Sequence, residues 1–151
     1  MGLDMYLNAK RYLFRGGDSL DEKISQSINS LFPDVPEEME AKEICFEAMY
    51  WRKANSIHQW FVHNVQNGVD DCGNYSVSSD KLQDLLDIVN RVLKDKSLAP
   101  TLLPTKSGFF FGDMSYDDYY FQVLKKTQLG IKKLISLLKN QALTIEYHSS
   151  W

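Results

Sequence analysis

Short stretches near both ends of the chain alternate between apolar and polar residues. Leu3, Met5 and Leu7 alternate with more polar neighbours, and the segment 144–148 shows the same pattern. Successive side chains of a strand point to opposite faces, so a period of two places one set on the core side. The pattern predicts a first strand that reaches residue 13 and a last strand over 144–148.

Two further strands are predicted inside the chain. Residues 44–51 alternate in the same way, although their apolar spacing also fits a helix. We interpret this segment as a strand and keep the helix as its alternative. Residues 75–77 fit a short strand after a polar loop.

Apolar residues recur every three or four positions in four other segments, which is the spacing of an amphipathic helix. Asp18 and Ser19 follow two glycines and offer a cap to the first of these helices. Ser78 and Ser79 offer a cap to the third, and Ser115 begins a segment that resembles a capping box before the fourth. The predicted helices span residues 20–31, 52–66, 80–96 and 116–139.

The order of these elements predicts an α+β domain. The chain has 151 residues, of which 44% are hydrophobic and 25% charged, and these are the proportions of a folded domain. A chain of this length builds one core. We therefore expect a single domain over residues 1–151, in which a small antiparallel sheet packs against about three to four helices. Two prolines predict a loop over 97–108.

Composition and charge exclude several classes of function. The longest purely apolar runs, such as residues 109–111, are too short to span a bilayer, and the N-terminus lacks the pattern of a signal peptide. We expect a cytoplasmic protein with no membrane contact, in which Cys45 and Cys72 are reduced thiols. The formal net charge of −3 disfavours nonspecific binding to nucleic acid.

Residues 50–61 combine tryptophans, cations and hydrogen-bonding side chains at the start of the helix predicted over 52–66. If the helical spacing extends back to Trp51, then Trp51, Asn55 and His58 share one stripe of this helix. If this helix begins at Arg52, then Arg52 and Lys53 lie beside its free amide groups, which attract an anion. In the alternative interpretation, Asn55 and His58 belong to a buried network and Arg52 pairs with a surface carboxylate. The residues of this segment that we predict to contact a ligand are Trp51, Arg52, Lys53, Asn55, His58 and Trp60.

Residues 103–113 form the second candidate segment. Lys106 and Ser107 are typical of a phosphate-binding loop, but the glycine-rich run that precedes them in such loops is absent. Three consecutive phenylalanines are costly to expose, so we expect at least two of them to be buried. The segment is either a loop that plugs the core or an apolar wall beside a ligand. In the second case Lys106, Ser107 and Phe110 contact that ligand.

Asp70, Asp71 and Cys72 follow two histidines, His58 and His63, in the sequence. Carboxylates, thiolates and imidazoles bind zinc, but this spacing matches no established ligand pattern. We therefore predict neither a metal nor a cofactor. The same residues supply a thiol and a base without a sequence signature of nucleophilic catalysis, and we interpret the aspartates as part of a solvated turn.

Several longer segments together carry a family resemblance. They are MGLDMYL at 1–7, YWRKAN at 50–55, IHQWFV at 57–62, VDDC at 69–72, LPTKSGFFFG at 103–112, YDDYY at 116–120 and SSW at 149–151. These segments resemble a group of small, uncharacterised phage and prophage proteins. The resemblance implies a phage or mobile-element context in the cytoplasm of a bacterial host cell. It supplies no catalytic residue.

Three functions are consistent with these residues. The first is that of a phage or prophage accessory protein with an anti-defence role, which sequesters a nucleotide-like or other small anionic ligand. The second is that of a small hydrolase, with His58 as general base and Asp70 or Asp71 as its partner. The third is that of an inhibitor that binds a host or defence protein through the surface near Tyr116. The sequence leaves open whether the protein is an enzyme, and its many aromatic residues make a homodimer reasonable.

Overall fold

The computed structural model describes residues 2–36 and 38–151. Four strands form one antiparallel sheet, in the order β2-β1-β4-β3. This sheet confirms the predicted α+β class, and it confirms residues 44–51 as a strand. The strands are β1 (Asp4–Tyr12), β2 (Glu43–Arg52), β3 (Asn74–Val77) and β4 (Thr144–Ser150).

Five α-helices are present in the described part of the chain. Asp18 caps the first and Ser78 caps the third, as their positions in the sequence predict. The helices are α1 (Ser19–Leu31), α2 (Asn55–Asn64), α3 (Ser79–Lys94), α4 (Ala99–Leu102) and α5 (Asp118–Leu138), with a single 3₁₀ turn at Lys96–Leu98.

The predicted boundaries are wrong in three places. The second helix does not begin at Arg52, because β2 continues through Trp51 and Arg52, which pair with Met5 and Asp4 of β1. Trp51 therefore does not share a helix face with Asn55. The predicted loop over 97–108 contains α4, since a proline in the first turn of a helix loses no intrahelical hydrogen bond. The cap of α5 is Asp117 rather than Ser115.

One continuous core lies between the sheet and the helices. The inward residues of β1, including Met5 and Leu7, are fully buried there with Tyr147 of β4. Trp51 fixes β2 to α5, because its Nε1 donates to the Oγ1 of Thr127 at 2.9 Å in a fully buried contact. Burial of an indole with its N–H satisfied is among the larger stabilising contributions of a small core.

The opposite face of the sheet carries polar and aromatic side chains that contact one another. The ring of Tyr6 lies 5.3 Å from the ring of Tyr50 and 6.1 Å from that of His148, between neighbouring strands. Lys10 forms ion pairs with Glu146 at 2.9 Å and with Glu43 at 3.8 Å. The alternation in β1 thus separates an apolar face from a polar one, as a period of two requires.

Acidification is expected to loosen α1. The backbone N–H of Asp21 and the Arg11 guanidinium donate to Asp18 and hold the pKa of this carboxyl below its ordinary value of 3.8. A group with a lowered folded-state pKa contributes stability that is present above the unfolded pKa and is lost as the pH falls through the folded pKa. Hydrogen-exchange protection of α1 should therefore decrease below about pH 4.

The matched variants for this prediction are Asp18→Asn and Asp80→Asn. Asparagine also caps a helix but does not titrate, so Asp18→Asn should flatten the pH dependence of α1 protection. Asp80 lies in the first turn of α3, and its substitution should leave the protection of α1 unchanged. Equal pH dependence in all three proteins would contradict the prediction.

Candidate functional site

Asn55, the first residue of α2, ties this helix to the segment between α4 and α5. Its Nδ2 donates to the carbonyl oxygens of Phe111 at 3.1 Å and Asp113 at 2.8 Å, and its Oδ1 accepts from the backbone N–H of Lys106 at 3.1 Å. Asn55 itself is buried. Three backbone groups of a surface segment therefore depend on one buried amide, which holds residues 105–113 against the N-terminus of α2.

A cavity of about 300 Å³ lies at this junction. Its walls come from the corner between β2 and α2, from the segment that Asn55 holds, and from the first turns of α5. Its polar lining includes Lys53, Asn55, Ser56, Thr105, Asp113, Ser115 and Asp117. The volume is at the lower end of the range for small-molecule pockets.

Ala54, Asn55 and Ser56, at the N-terminus of α2, line this cavity. Ala54 occupies the N-cap position and offers no side-chain acceptor. The first intrahelical bond runs from the N–H of His58 to the carbonyl of Ala54, and within residues 2–36 and 38–151 the backbone N–H groups of Asn55, Ser56 and Ile57 have no acceptor. Such groups form the positive end of the helix dipole and favour an anion.

Lys53 forms the tight corner before α2 and has a left-handed φ of 53°. Its stem passes closely beside Gly112, where an added Cβ would lie 3.0 Å from the Cβ of Lys53. The end of the stem reaches Gly2, where an added Cβ would lie 3.3 Å from Cε. Gly112 has a φ of 89°, so both its conformation and its contact with Lys53 favour glycine.

Two carboxylates line the same cavity. Asp113 accepts from the backbone N–H of Ser115 at 2.9 Å, and this hydrogen bond lowers the pKa of Asp113. Asp117 caps α5 by accepting from the backbone N–H of Tyr120 at 2.9 Å. A carboxylate has about four acceptor positions, so both groups retain capacity to accept from hydroxyl or amino groups of a ligand.

Two tyrosines complete the wall on the α5 side. The hydroxyl of Tyr119 donates to the carbonyl of Arg52 at 2.6 Å, and that of Tyr120 donates to the carbonyl of Leu103 at 2.8 Å. Burial raises the pKa of Tyr120 well above its ordinary value, so its hydroxyl remains a neutral donor. These bonds fix both rings, and the wall is preformed.

His58 lies about one turn after Asn55 on α2 and belongs to a separate polar network. Its Nδ1 is 2.7 Å from the hydroxyl oxygen of Tyr147, and its Nε2 is 2.9 Å from Oδ2 of Asp70. A carboxylate only accepts, so Nε2 donates to Asp70; in the neutral tautomer with this hydrogen, Nδ1 is the acceptor for the Tyr147 hydroxyl. Burial raises the pKa of Tyr147 well above its ordinary value, which keeps that hydroxyl a donor. The indole of Trp151 donates to the other oxygen of Asp70 at 3.1 Å.

The His58 network holds the C-terminal strand and encloses the His58 ring. His58 is fully buried, and both of its nitrogens are occupied. The ring of Phe111 meets the His58 ring edge-on at 5.2 Å and lies 6.2 Å from the ring of Trp151. His58 and Asp70, which the hydrolase hypothesis pairs, are thus in contact, but neither lines the cavity.

The structure separates the predicted ligand contacts of the first segment. Lys53 and Asn55 line the cavity. Trp51 and Trp60 belong to the core, and Arg52 is exposed at the end of β2.

The predicted contacts of the second segment lie nearby. Lys106 and Ser107 are exposed, while Phe110 is half-buried and its carbonyl accepts from the N–H of Leu3 at 3.0 Å. The expectation that at least two of the three phenylalanines are buried is wrong. Phe109 is 96% exposed, and Phe110 and Phe111 are half-buried, because Asn55 holds the segment over the surface of α2 rather than inside the core.

Sequence reasoning missed several cavity residues. Ser56 lines the cavity from α2 itself, whereas Thr105, Asp113 and Ser115 reach it because Asn55 holds the second segment against α2. The sequence predicts a capping box that begins at Ser115, whereas Asp117 is the residue that caps α5. Nothing in the local pattern indicates that this cap also faces the N-terminus of another helix.

Among the residues that the structure describes, no three or more His, Cys, Asp and Glu side chains are grouped so that they could hold a metal ion. No helix in the described ranges combines the length and apolar character needed to cross a membrane.

Comparison of the chain with protein-family models, with curated proteins and with solved structures gives no match.

Proposed function

We propose that this protein binds a small phosphorylated ligand of about nucleotide size in the cavity between α2 and α5. The observation that carries the proposal is the meeting of an uncapped helix N-terminus and the carboxyl groups of Asp113 and Asp117 around one cavity of about 300 Å³. The helix end favours an anionic group, whereas the carboxylates favour hydrogen-bond donors. A sugar phosphate has both kinds of group.

The phosphate belongs at the N-terminus of α2. Asn55 and Ser56 line the cavity, and their amide groups lack acceptors within the described residues. Phosphate oxygens are suitable acceptors for such groups. Lys53 lines the same region. An anion at this position would satisfy backbone donors that the described residues leave unsatisfied.

The rest of the ligand faces Asp113, Asp117 and the tyrosine wall. Ionised carboxylates repel a second anionic group but accept from sugar hydroxyls, so the cavity selects a ligand with one anionic end. The rings of Tyr119 and Tyr120 supply apolar surface for a base or sugar. The resemblance to phage and prophage proteins supports a role in sequestering such a ligand during infection of a bacterial cell.

Isothermal titration with inorganic phosphate and with nucleoside monophosphates tests this proposal. We expect a nucleoside monophosphate to bind more tightly than phosphate alone, because only the nucleotide also reaches the carboxylates and tyrosines. Ser115→Trp, which fills the cavity from an exposed position, should abolish binding. Asp117→Asn, which keeps a helix cap, should weaken nucleotide binding by about tenfold and leave phosphate binding unchanged.

The matched control is Asp95→Asn. Asp95 also caps a short helical turn, by accepting from the N–H of Ser97 at 3.1 Å, but it lies outside the cavity. Its substitution should not alter either affinity. Nucleotide binding that survives Ser115→Trp, or the absence of any binding to the folded protein, would overturn the proposal.

We expect binding without hydrolysis. His58, the only general base that the hydrolase hypothesis names, is buried in its own network and does not line the cavity. Incubation with a nucleoside monophosphate should release no phosphate. Release of phosphate that is lost in His58→Gln would instead favour the hydrolase.

A further inference from the structure

Two polar side chains in the lining of the cavity between α2 and α5, called here the α2 cavity, already use all of their donors within the protein. Asn55 uses both hydrogens of its amide on backbone carbonyls of the segment 105–113. The hydroxyl of Thr105 donates to the carbonyl of Met114 at 2.9 Å. Neither side chain therefore has a hydrogen left to donate to the edge of a base.

Asp113 and Asp117 have unused acceptor positions beside the same cavity. Asp113 accepts from the backbone N–H of Ser115, and Asp117 accepts from that of Tyr120, each at 2.9 Å. No basic side chain among the described residues forms an ion pair with either carboxylate. A carboxylate has about four acceptor positions, so both groups can accept from hydroxyls of a ligand.

Ser56 is a buried polar side chain of this lining. It is 4% exposed and lies in the first turn of α2. Its hydroxyl forms no hydrogen bond to a carbonyl or carboxylate oxygen of the described residues, and the neighbouring Tyr120 hydroxyl gives its own hydrogen to the carbonyl of Leu103. Buried polar groups normally have partners, and Ser56 lines the α2 cavity. This observation is independent of the carboxylates and also points to a polar ligand.

Asp113 lies next to the position proposed for the phosphate. Its carbonyl accepts from Nδ2 of Asn55, the first residue of α2, at 2.8 Å. In a nucleotide the sugar is attached to the phosphate, and the base lies beyond the sugar. The first donors that a ligand anchored by its phosphate brings towards Asp113 are therefore the hydroxyls of the sugar.

We infer that the α2 cavity recognises a nucleotide by the two secondary hydroxyls of its ribose and does not distinguish between bases. This inference rests on the proposed binding of a phosphorylated ligand. Asp113 and Asp117 accept from the ribose hydroxyls. The base packs on the rings of Tyr119 and Tyr120, whose own hydroxyls are bonded to backbone carbonyls. A site that bonds a hydroxyl of its ligand discriminates against the analogue that lacks it, because the acceptor then stays unpaired.

Isothermal titration with matched sugar phosphates and nucleotides tests this inference. The probes are ribose phosphate and deoxyribose phosphate, the monophosphates of adenosine, deoxyadenosine and cytidine, all phosphorylated at the primary hydroxyl, and inorganic phosphate. Each ribose compound should bind about tenfold more tightly than its deoxyribose counterpart. The monophosphates of adenosine and cytidine should bind with affinities within about threefold of each other.

Substitution of both carboxylates assigns this preference to them. Asparagine keeps an oxygen for the turn at Asp113 and for the cap at Asp117, but its amino group does not accept from a hydroxyl. Together, Asp113→Asn and Asp117→Asn should reduce the preference for ribose to about twofold or less without lowering the affinity for inorganic phosphate. Asp118→Asn is the matched control, because Asp118 lies in the first turn of α5 but does not line the cavity. This variant should keep the full preference.

Three results overturn the inference and leave the proposed function in place. They are equal affinities for the ribose and deoxyribose compounds, a preference for ribose that survives the double substitution, and a dependence on the base that exceeds the dependence on the sugar. A folded protein that binds neither the nucleotides nor inorganic phosphate would overturn the proposed function itself, and the inference with it.

Discussion

Replacement of His58 by alanine is expected to lower the free energy of unfolding by about 3–4 kcal/mol. The substitution removes a fully buried ring and leaves a cavity beside Phe111 and Tyr147. It also leaves the Tyr147 hydroxyl and the Asp70 carboxylate without their partner. An unsatisfied buried polar group costs about 1–3 kcal/mol, and the lost packing adds to this.

Chemical denaturation of His58→Ala, His58→Leu and the unsubstituted protein measures this effect. His58→Leu restores most of the volume but none of the hydrogen bonds, so the difference between the two variants separates packing from hydrogen bonding. His63→Ala is the matched control, because His63 lies on the same helix and is exposed. A loss of stability in His58→Ala no larger than that in His63→Ala would contradict the prediction.

The same substitution should free the C-terminus. The indole of Trp151 donates to Asp70, whose second oxygen accepts from His58. With His58 absent, Asp70 loses the contact that fixes its orientation, and the Trp151 indole should become more solvated. We expect its contribution to the fluorescence spectrum to shift to longer wavelength in His58→Ala, and His63→Ala should not show this shift.

Replacement of Asn55 by aspartate is expected to lower the free energy of unfolding by about 2–3 kcal/mol. Asparagine donates two hydrogen bonds to the carbonyls of Phe111 and Asp113, whereas a carboxylate at the same place faces both carbonyls as an acceptor. The substitution changes almost no volume, so the loss reports on the hydrogen bonds. The N–H of Lys106 keeps an acceptor in the variant, and the repulsion therefore acts mainly at 111–113.

Denaturation and hydrogen exchange together test this prediction. Asn55→Asp should increase exchange in the segment 105–117 more than in α3, because Asn55 contacts the former and not the latter. Asn64→Asp is the control: it lies at the end of the same helix and loses a single bond to the carbonyl of Trp60. Equal losses of stability in the two variants would show that Asn55 has no special role in holding the segment.

Asn55→Asp also tests the proposed ligand site. It disturbs a wall of the α2 cavity and adds a negative charge beside the proposed phosphate site, so nucleotide affinity should fall.

The local sequence pattern was sufficient to predict most elements of this fold. Alternation in β1 and β4 and the leucine-rich spacing of α3 and α5 correspond to strands and helices that bury one face each. Asp18 and Ser78 cap helices as their residue types favour. These features depend on neighbours within a few residues, and such neighbours are visible in a sequence.

Prediction of the candidate site was less complete, and Trp51 shows the reason. Its spacing to Asn55 suits a helix face, but pairing of β2 with β1 keeps Trp51 in the sheet and moves the start of α2 to Asn55. Lys53 and Asn55 are predicted as ligand contacts because a cation and an amide side chain near the start of a helix can be recognised from the local sequence. Asp113 and Ser115 were missed because their position depends on a contact across more than fifty residues.

The sequence by itself determined the α+β class, the apolar faces of the strands and helices, and the caps of α1 and α3, because each follows from local periodicity or local hydrogen bonding. Only the tertiary structure decided that Asn55 holds the phenylalanine segment at the surface, that His58 is enclosed by Tyr147 and Asp70, and that the apolar stripe of α1 remains open beside β2. These outcomes depend on contacts between segments that are far apart in the sequence. Which of these segments are buried together is decided only when the whole chain packs.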